Sequence, residues 1–128
     1  MKSIWYQNLI KPALLPPAKV FTVVWIILYT LITISFVLYI KSGLTKKDIL
    51  PIALFILGLI LNFSWGFVFF VKHEILLGAF MIMGMIFLLV PVLILFYKKR
   101  PITGILLIPY FLWLIFALYL NFGIYLNN

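Results

Sequence analysis

Asp48 and Glu74 are the only carboxylates in this chain, His73 is the only imidazole, and there is no cysteine. A general acid–base pair must reach one substrate from both sides, whereas the apolar runs around these two carboxylates place them at opposite membrane edges. His73 and Glu74 open like a metal-binding HExxH helix, but Leu77 stands where the second histidine belongs, so no metal site is expected. Ser64 has no base in its own run, no glycine-rich phosphate loop is present, and no ionisable group lies inside a run away from its ends. Nucleophilic catalysis and ion pumping therefore lack their working groups. The chemistry left is recognition by indoles, phenols and carboxamides.

Those groups are spaced to converge. Thr22, Trp25, Tyr29 and Thr33 follow steps of three, four and four, which is one stripe of a helix. Gly58, Asn62, Trp65 and Phe69 form a second stripe, and Tyr110, Trp113, Ala117 and Asn121 a third. An amide or indole N–H without a partner in hydrocarbon costs several kcal/mol, so these faces are expected to point inward, towards partners or bound water. Tyr and Trp also serve as interfacial anchors, and Trp5, Tyr6, Tyr39, Tyr97 and Tyr125 are read that way. Trp25, Tyr29, Asn62, Trp65, Trp113 and Asn121 fit anchoring less well, since several lie a turn or more inside their runs. For them the pattern alone leaves pocket lining and plain helix packing both open.

The elements that must position these residues are apolar runs. The chain has 128 residues, 67% hydrophobic and 9% charged, and a mean hydropathy of +1.31. Roughly 20 apolar residues cross a bilayer. Four runs qualify: Ala18 to Ile40, Ile49 to Val71, Leu76 to Tyr97 and Gly104 to Leu126. Their connectors are short enough to demand antiparallel neighbours, so the expected fold is an all-α membrane protein, one up-down antiparallel bundle of four transmembrane helices. Pro16 and Pro17 suit the entry to the first run, Asp48 and Thr103 are the candidate caps of the second and fourth, and Pro91 and Pro109 are expected to bend their helices. The third run has only Gly78, Gly84 and several Met in place of a polar stripe, which suits packing or an adaptable apolar wall.

The net charge of +8 comes from ten basic residues placed between the runs. Such placement marks membrane surfaces and topology, and no nucleic acid is expected. The face of the first and third connectors holds Lys41, Lys46, Lys47, Lys98, Lys99 and Arg100, against Lys2, Lys11, Lys19 and Lys72 opposite. The positive-inside rule puts those two connectors in the cytoplasm and both termini outside. The start of the chain has no h-region and no small-residue cleavage site, so no cleaved signal is expected. The expected location is a prokaryotic plasma membrane, crossed several times.

The segments "VLYIK" and "LFYKK" satisfy a loose cholesterol-recognition pattern, which interfacial Tyr next to basic connectors also produces by chance. Three ordered motifs are more specific. Trp5, Tyr6, Leu9, Lys11, Pro12, Pro16, Pro17, Phe21, Val24, Trp25, Leu28 and Tyr29 follow the pattern WYxxLxKPxWxPPxxxFxxVWxxLY except at Leu14; "LNFSWGFVFF" spans Leu61 to Phe70; and "PYFLWLIFALYLN" spans Pro109 to Asn121. Nearly the whole chain resembles the TspO/MBR family of tryptophan-rich sensory and translocator proteins.

The resemblance implies binding of tetrapyrroles such as protoporphyrin, or of similar flat apolar ligands, in a pocket inside the bundle, with a sensory, regulatory or transport role and no resident cofactor. It implies Trp25, Tyr29, Asn62, Trp65, Trp113 and Ala117 as lining, to which the third stripe adds Asn121, and Lys11 and Pro12 as part of a covering loop. It also implies one alternative, light-dependent porphyrin degradation with pocket aromatics as electron-transfer partners; a separate, structural reading is a truncated bundle that serves mainly to associate with membrane partners. The resemblance implies five membrane helices, so the first is expected to be missing here; either a second protomer in a homodimer or lipid fills its place, or ligand affinity is lost. Leu14, Gly66 and Phe67 depart from the family's Trp, Ser and Pro. The tail "FGIYLNN" lacks the basic residue of the animal sterol motif, so sterol recognition through it is not expected.

Overall fold

A computed structural model describes residues 18–68, 72 and 74–127. Four helices account for nearly all of them: α1 (Ala18–Lys41), α2 (Ile49–Gly66), α3 (Ile75–Lys99) and α4 (Pro101–Asn127), with a 3-10 turn, Lys46–Asp48, ahead of α2. Each α-helix is long and apolar enough to cross a membrane. The runs legible in the sequence agree with these bounds to within a few residues, except that Phe69, Phe70 and Val71, at the end of the second run, lie outside the described residues. Pro91 and Pro109 sit within continuous helices and interrupt neither.

The helix pairs that pack along their lengths are α1 with α4, α4 with α3, and α3 with α2. The row α1–α4–α3–α2 therefore corrects the expectation that every connector joins packed neighbours, because α1 takes its main seat against α4, not against α2. α3 lies between α4 and α2 and buries one long face against them. Gly78, Ala79, Ile82, Met85, Leu89, Val92 and Phe96 are all buried along it, at steps of one, three or four. Where lipid is as apolar as leucine, such close-fitting surfaces drive helix association more than hydrophobicity does.

The two ends of the row meet through side chains. Phe36 of α1 stacks on Phe55 of α2 at 4.7 Å with ring planes 2° apart, and Tyr39 stacks on Phe96 of α3 at 4.0 Å. Tyr39 is only 1% exposed, which corrects its reading as an interfacial anchor and removes "VLYIK" as a surface sterol motif. Its hydroxyl donates to Asp48 Oδ1. Asp48 Oδ2 accepts from the Thr45 amide at 2.7 Å and from Lys99 Nζ at 2.6 Å, and Lys99 also donates to the Gly43 carbonyl. The Lys99 ammonium, helped by the Tyr39 hydroxyl and the Thr45 amide, holds the Asp48 carboxyl well below the usual carboxylate range. Asp48 thus closes a capping box on the 3-10 turn with Thr45 and makes no side-chain cap on α2, contrary to the sequence expectation.

Thr103 likewise does not cap α4, which starts two residues earlier at Pro101, a position that loses nothing when the N–H is missing. Its hydroxyl donates to the Phe96 and Arg100 carbonyls at 2.9 and 2.7 Å, and its own carbonyl accepts from Ser35 Oγ at 2.7 Å. One buried threonine thereby ties the end of α3 to α4 and α4 to α1. Gly104 follows because nothing larger fits: a Cβ there would stand 2.8 Å from Tyr97 Cβ and 3.0 Å from its backbone.

Candidate ligand-binding site

On α1 the inward face is Leu28, Ile32, Ser35 and Tyr39, all buried. Trp25 and Tyr29 lie half-buried beside it, and Thr22 and Thr33, the ends of the stripe expected to line an interior, are exposed. Thr33 is at ease there because its hydroxyl donates to the Tyr29 carbonyl at 2.8 Å, as Thr30 does to that of Ile26. A threonine that bonds back into its own helix needs no interior.

The remaining predicted residues fall into two hydrogen-bonded groups and one aromatic group. Tyr29 donates to Asn62 Oδ1 across the seam between α1 and α2, and Asn62 Nδ2 donates to Tyr110 Oη at 3.0 Å on α4, with Met85 Sδ at 3.8 Å. Asn62 is 7% exposed and engages both ends of its amide. A turn further along α2, Trp65 Nε1 donates to Asn121 Oδ1 at 3.2 Å, and Asn121 Nδ2 donates to the Ile75 carbonyl at 2.7 Å. That group clamps α2 and α4 onto the start of α3.

The aromatic group joins α1 to α4. Trp25 stacks on Tyr29 with centroids 5.4 Å apart and meets Trp113 edge to face at 6.2 Å and 90°. Phe21 and Phe116 flank Trp113 at 5.6 and 5.3 Å, and Ala117, one turn on, packs against the buried core. Trp113 Nε1 is the one buried side-chain polar atom without a hydrogen-bond partner among the described residues. Trp113 also lines an open, apolar groove of about 380 Å³ on the α1–α4 seam, with Val24, Ile27, Pro109, Leu112 and Phe116.

Trp25, Tyr29, Asn62 and Trp113 thus form one contiguous set, while Trp65 and Asn121 form a second, and Lys11 and Pro12 lie outside the described residues. No group of three or more metal-ligating side chains occurs among the described residues. The sequence reading left two members out of the site: Tyr110, though it stood on the same stripe as Trp113, and Met85, whose apolar run offered no signal that an amide would face its sulfur.

The family model described as TspO/MBR family matches residues 1–126, a span that takes in all three motifs. The chain belongs to the TspO/MBR family. It is 32% identical over 95% of its length to the Tryptophan-rich protein TspO of Chlorobaculum tepidum, covering 78% of that protein. The Tryptophan-rich protein TspO of Archaeoglobus fulgidus is 34% identical over 97% of the chain and 80% of its own length. The Translocator protein of Homo sapiens is 30% identical over 97% and 75%. As a TspO/MBR chain with four spanning helices, it is a multi-pass integral membrane protein.

Proposed function

We propose that the chain binds a tetrapyrrole, or a flat apolar ligand of similar size, against the Trp25–Trp113 pair, and that occupancy serves a sensory or regulatory role in the membrane. The observation that carries this reading is the Trp113 indole N–H, buried and unpartnered where every other buried side-chain polar group described has a partner. A donor stranded in an apolar setting costs free energy until an acceptor arrives, and a porphyrin brings both carboxylate oxygens and a π-face for edge-to-face or stacked contact with indoles. Tyr29, Asn62 and Ala117 adjoin this pair; Trp65 and Asn121 support the far end of α2, and Lys11 and Pro12 are assigned to the cover. Tryptophan fluorescence titrated with protoporphyrin tests the proposal. Saturable quenching that weakens about tenfold or more in Trp113→Phe, the worth of a hydrogen bond to a charged acceptor, is the expected result. Quenching that never saturates sinks it and leaves the bundle as a membrane interaction partner.

A second reading has its own support in the unbroken aromatic contacts from Trp113 through Trp25 to Tyr29. Such a chain suits electron donation to an excited porphyrin. Illuminating the complex and following the porphyrin spectrum separates the two: turnover that vanishes in Trp25→Phe with binding retained marks an enzyme, and a stable spectrum marks a binder.

A further inference from the structure

The first and third connectors come together because Lys99 bonds both Gly43 and Asp48. That contact gathers Lys41, Lys46, Lys47 and Lys98 on one face, all exposed. The only ion pair among the described residues is Lys99–Asp48, so these four ammonium groups face outward without a carboxylate. Arg100 is occupied otherwise, its Nη1 donating to the Leu38 carbonyl at 3.3 Å. Interleaved with the lysines are exposed apolar side chains: Leu44 at 52%, Ile49 at 69%, Leu50 at 61% and Tyr97 at 53%. Water alone would disfavour that mixture, and a nucleic acid would leave its apolar half uncovered. A leaflet offers the matching order, acyl chains below and phosphates above.

We propose that this face is a docking surface for anionic phospholipid headgroups, with Lys41, Lys46, Lys47 and Lys98 as the phosphate contacts. Lysines near a membrane surface each contribute about 1 kcal/mol of attraction to anionic lipid, about fivefold in affinity. The Lys99–Asp48 pair acts as the positioning element that brings two connectors' charges to one headgroup layer. The surface is separate from the Trp25–Trp113 site, and porphyrin quenching is expected to be unchanged by its loss.

Native mass spectrometry of the detergent-purified chain, given phosphatidylglycerol and phosphatidylcholine in equal amounts, tests this without dependence on membrane orientation. Wild type is expected to retain phosphatidylglycerol preferentially, with the preference falling as salt rises. The variant Lys41→Gln/Lys46→Gln/Lys47→Gln/Lys98→Gln is expected to lose the preference, while Lys19→Gln/Lys72→Gln, on the opposite face, keeps it. Equal retention of both lipids by wild type, or an undiminished preference in the fourfold variant, overturns the proposal. So does full displacement of phosphatidylglycerol by excess inorganic phosphate, which would mark a simple anion site. Should the fourfold variant fail to fold, a salt-insensitive wild-type preference is the overturning result.

Discussion

Asn62 shows how much one carboxamide can hold. It accepts from Tyr29 and donates to Tyr110, so Asn62→Leu strands two hydroxyls, one of them nearly buried. At roughly 0.6 kcal/mol for an average interhelical bond in a membrane bundle, with more where a group is left unsatisfied, the substitution is expected to cost about 1–2 kcal/mol of stability. A double-mutant cycle with Tyr110→Phe, read by unfolding in detergent, should show coupling between the two positions; additive effects would mean that the bond contributes nothing. In the sequence Asn62 reads as a lining residue on an inward stripe. Its stripe was legible because period 3.6 is written in the chain, but which polar groups satisfy each other depends on distances between helices, and no local pattern encodes those. Tyr39 was misread for the same reason: a tyrosine next to a basic connector looks interfacial unless the carboxylate nine residues on is seen to reach back to it.

At the scale of elements, the connector between α3 and α4 is tight, with Gly104 set against Tyr97. Gly104→Ala is expected to lower stability by about 1–3 kcal/mol, because the new methyl meets Tyr97 backbone atoms that cannot move aside. Gly84→Ala is the matched control. Its Cβ would meet only Leu61 Cδ1, at 3.4 Å, the end of a flexible side chain, and a change within about 0.5 kcal/mol is expected. Thermal unfolding of both variants in one detergent checks the contrast; equal effects would refute the steric account. The four spans could be read from the sequence because apolar runs of membrane length are interrupted only by short basic connectors. Their caps could not, since Asp48 and Thr103 are of capping type and sit at capping positions, yet tertiary partners claimed both. The order of helices in the row was hidden as well, because a short connector constrains where two helix ends meet and says little about which flanks press together.

At the scale of the whole molecule, the Asp48 cluster joins all four helices' basic ends through Tyr39, the 3-10 turn, Lys99 and the α3–α4 connector. Asp48→Asn is expected to speed trypsin cleavage at Lys46 and Lys47, as the turn loses its ion pair, and to lower the unfolding temperature; unchanged cleavage would show that the turn is held by other means. Because the folded carboxyl titrates below the unfolded value of about 3.9, the stability it confers is fully present above that pH and is lost only as pH falls through the folded value. No change from this group is therefore expected between pH 5 and 8.

α1 and α2 are fastened to each other by different chemistry towards their two ends. At the lysine-rich side the two helices are joined by the Asp48 cluster and the stacked Phe36–Phe55 rings, and nearer Trp25 by the Tyr29–Asn62 hydrogen bond and the Tyr29–Phe63 ring contact at 5.8 Å. A flat ligand reaching the Trp25–Trp113 pair from the α1–α2 side would have to break the Tyr29–Asn62 bond on its way.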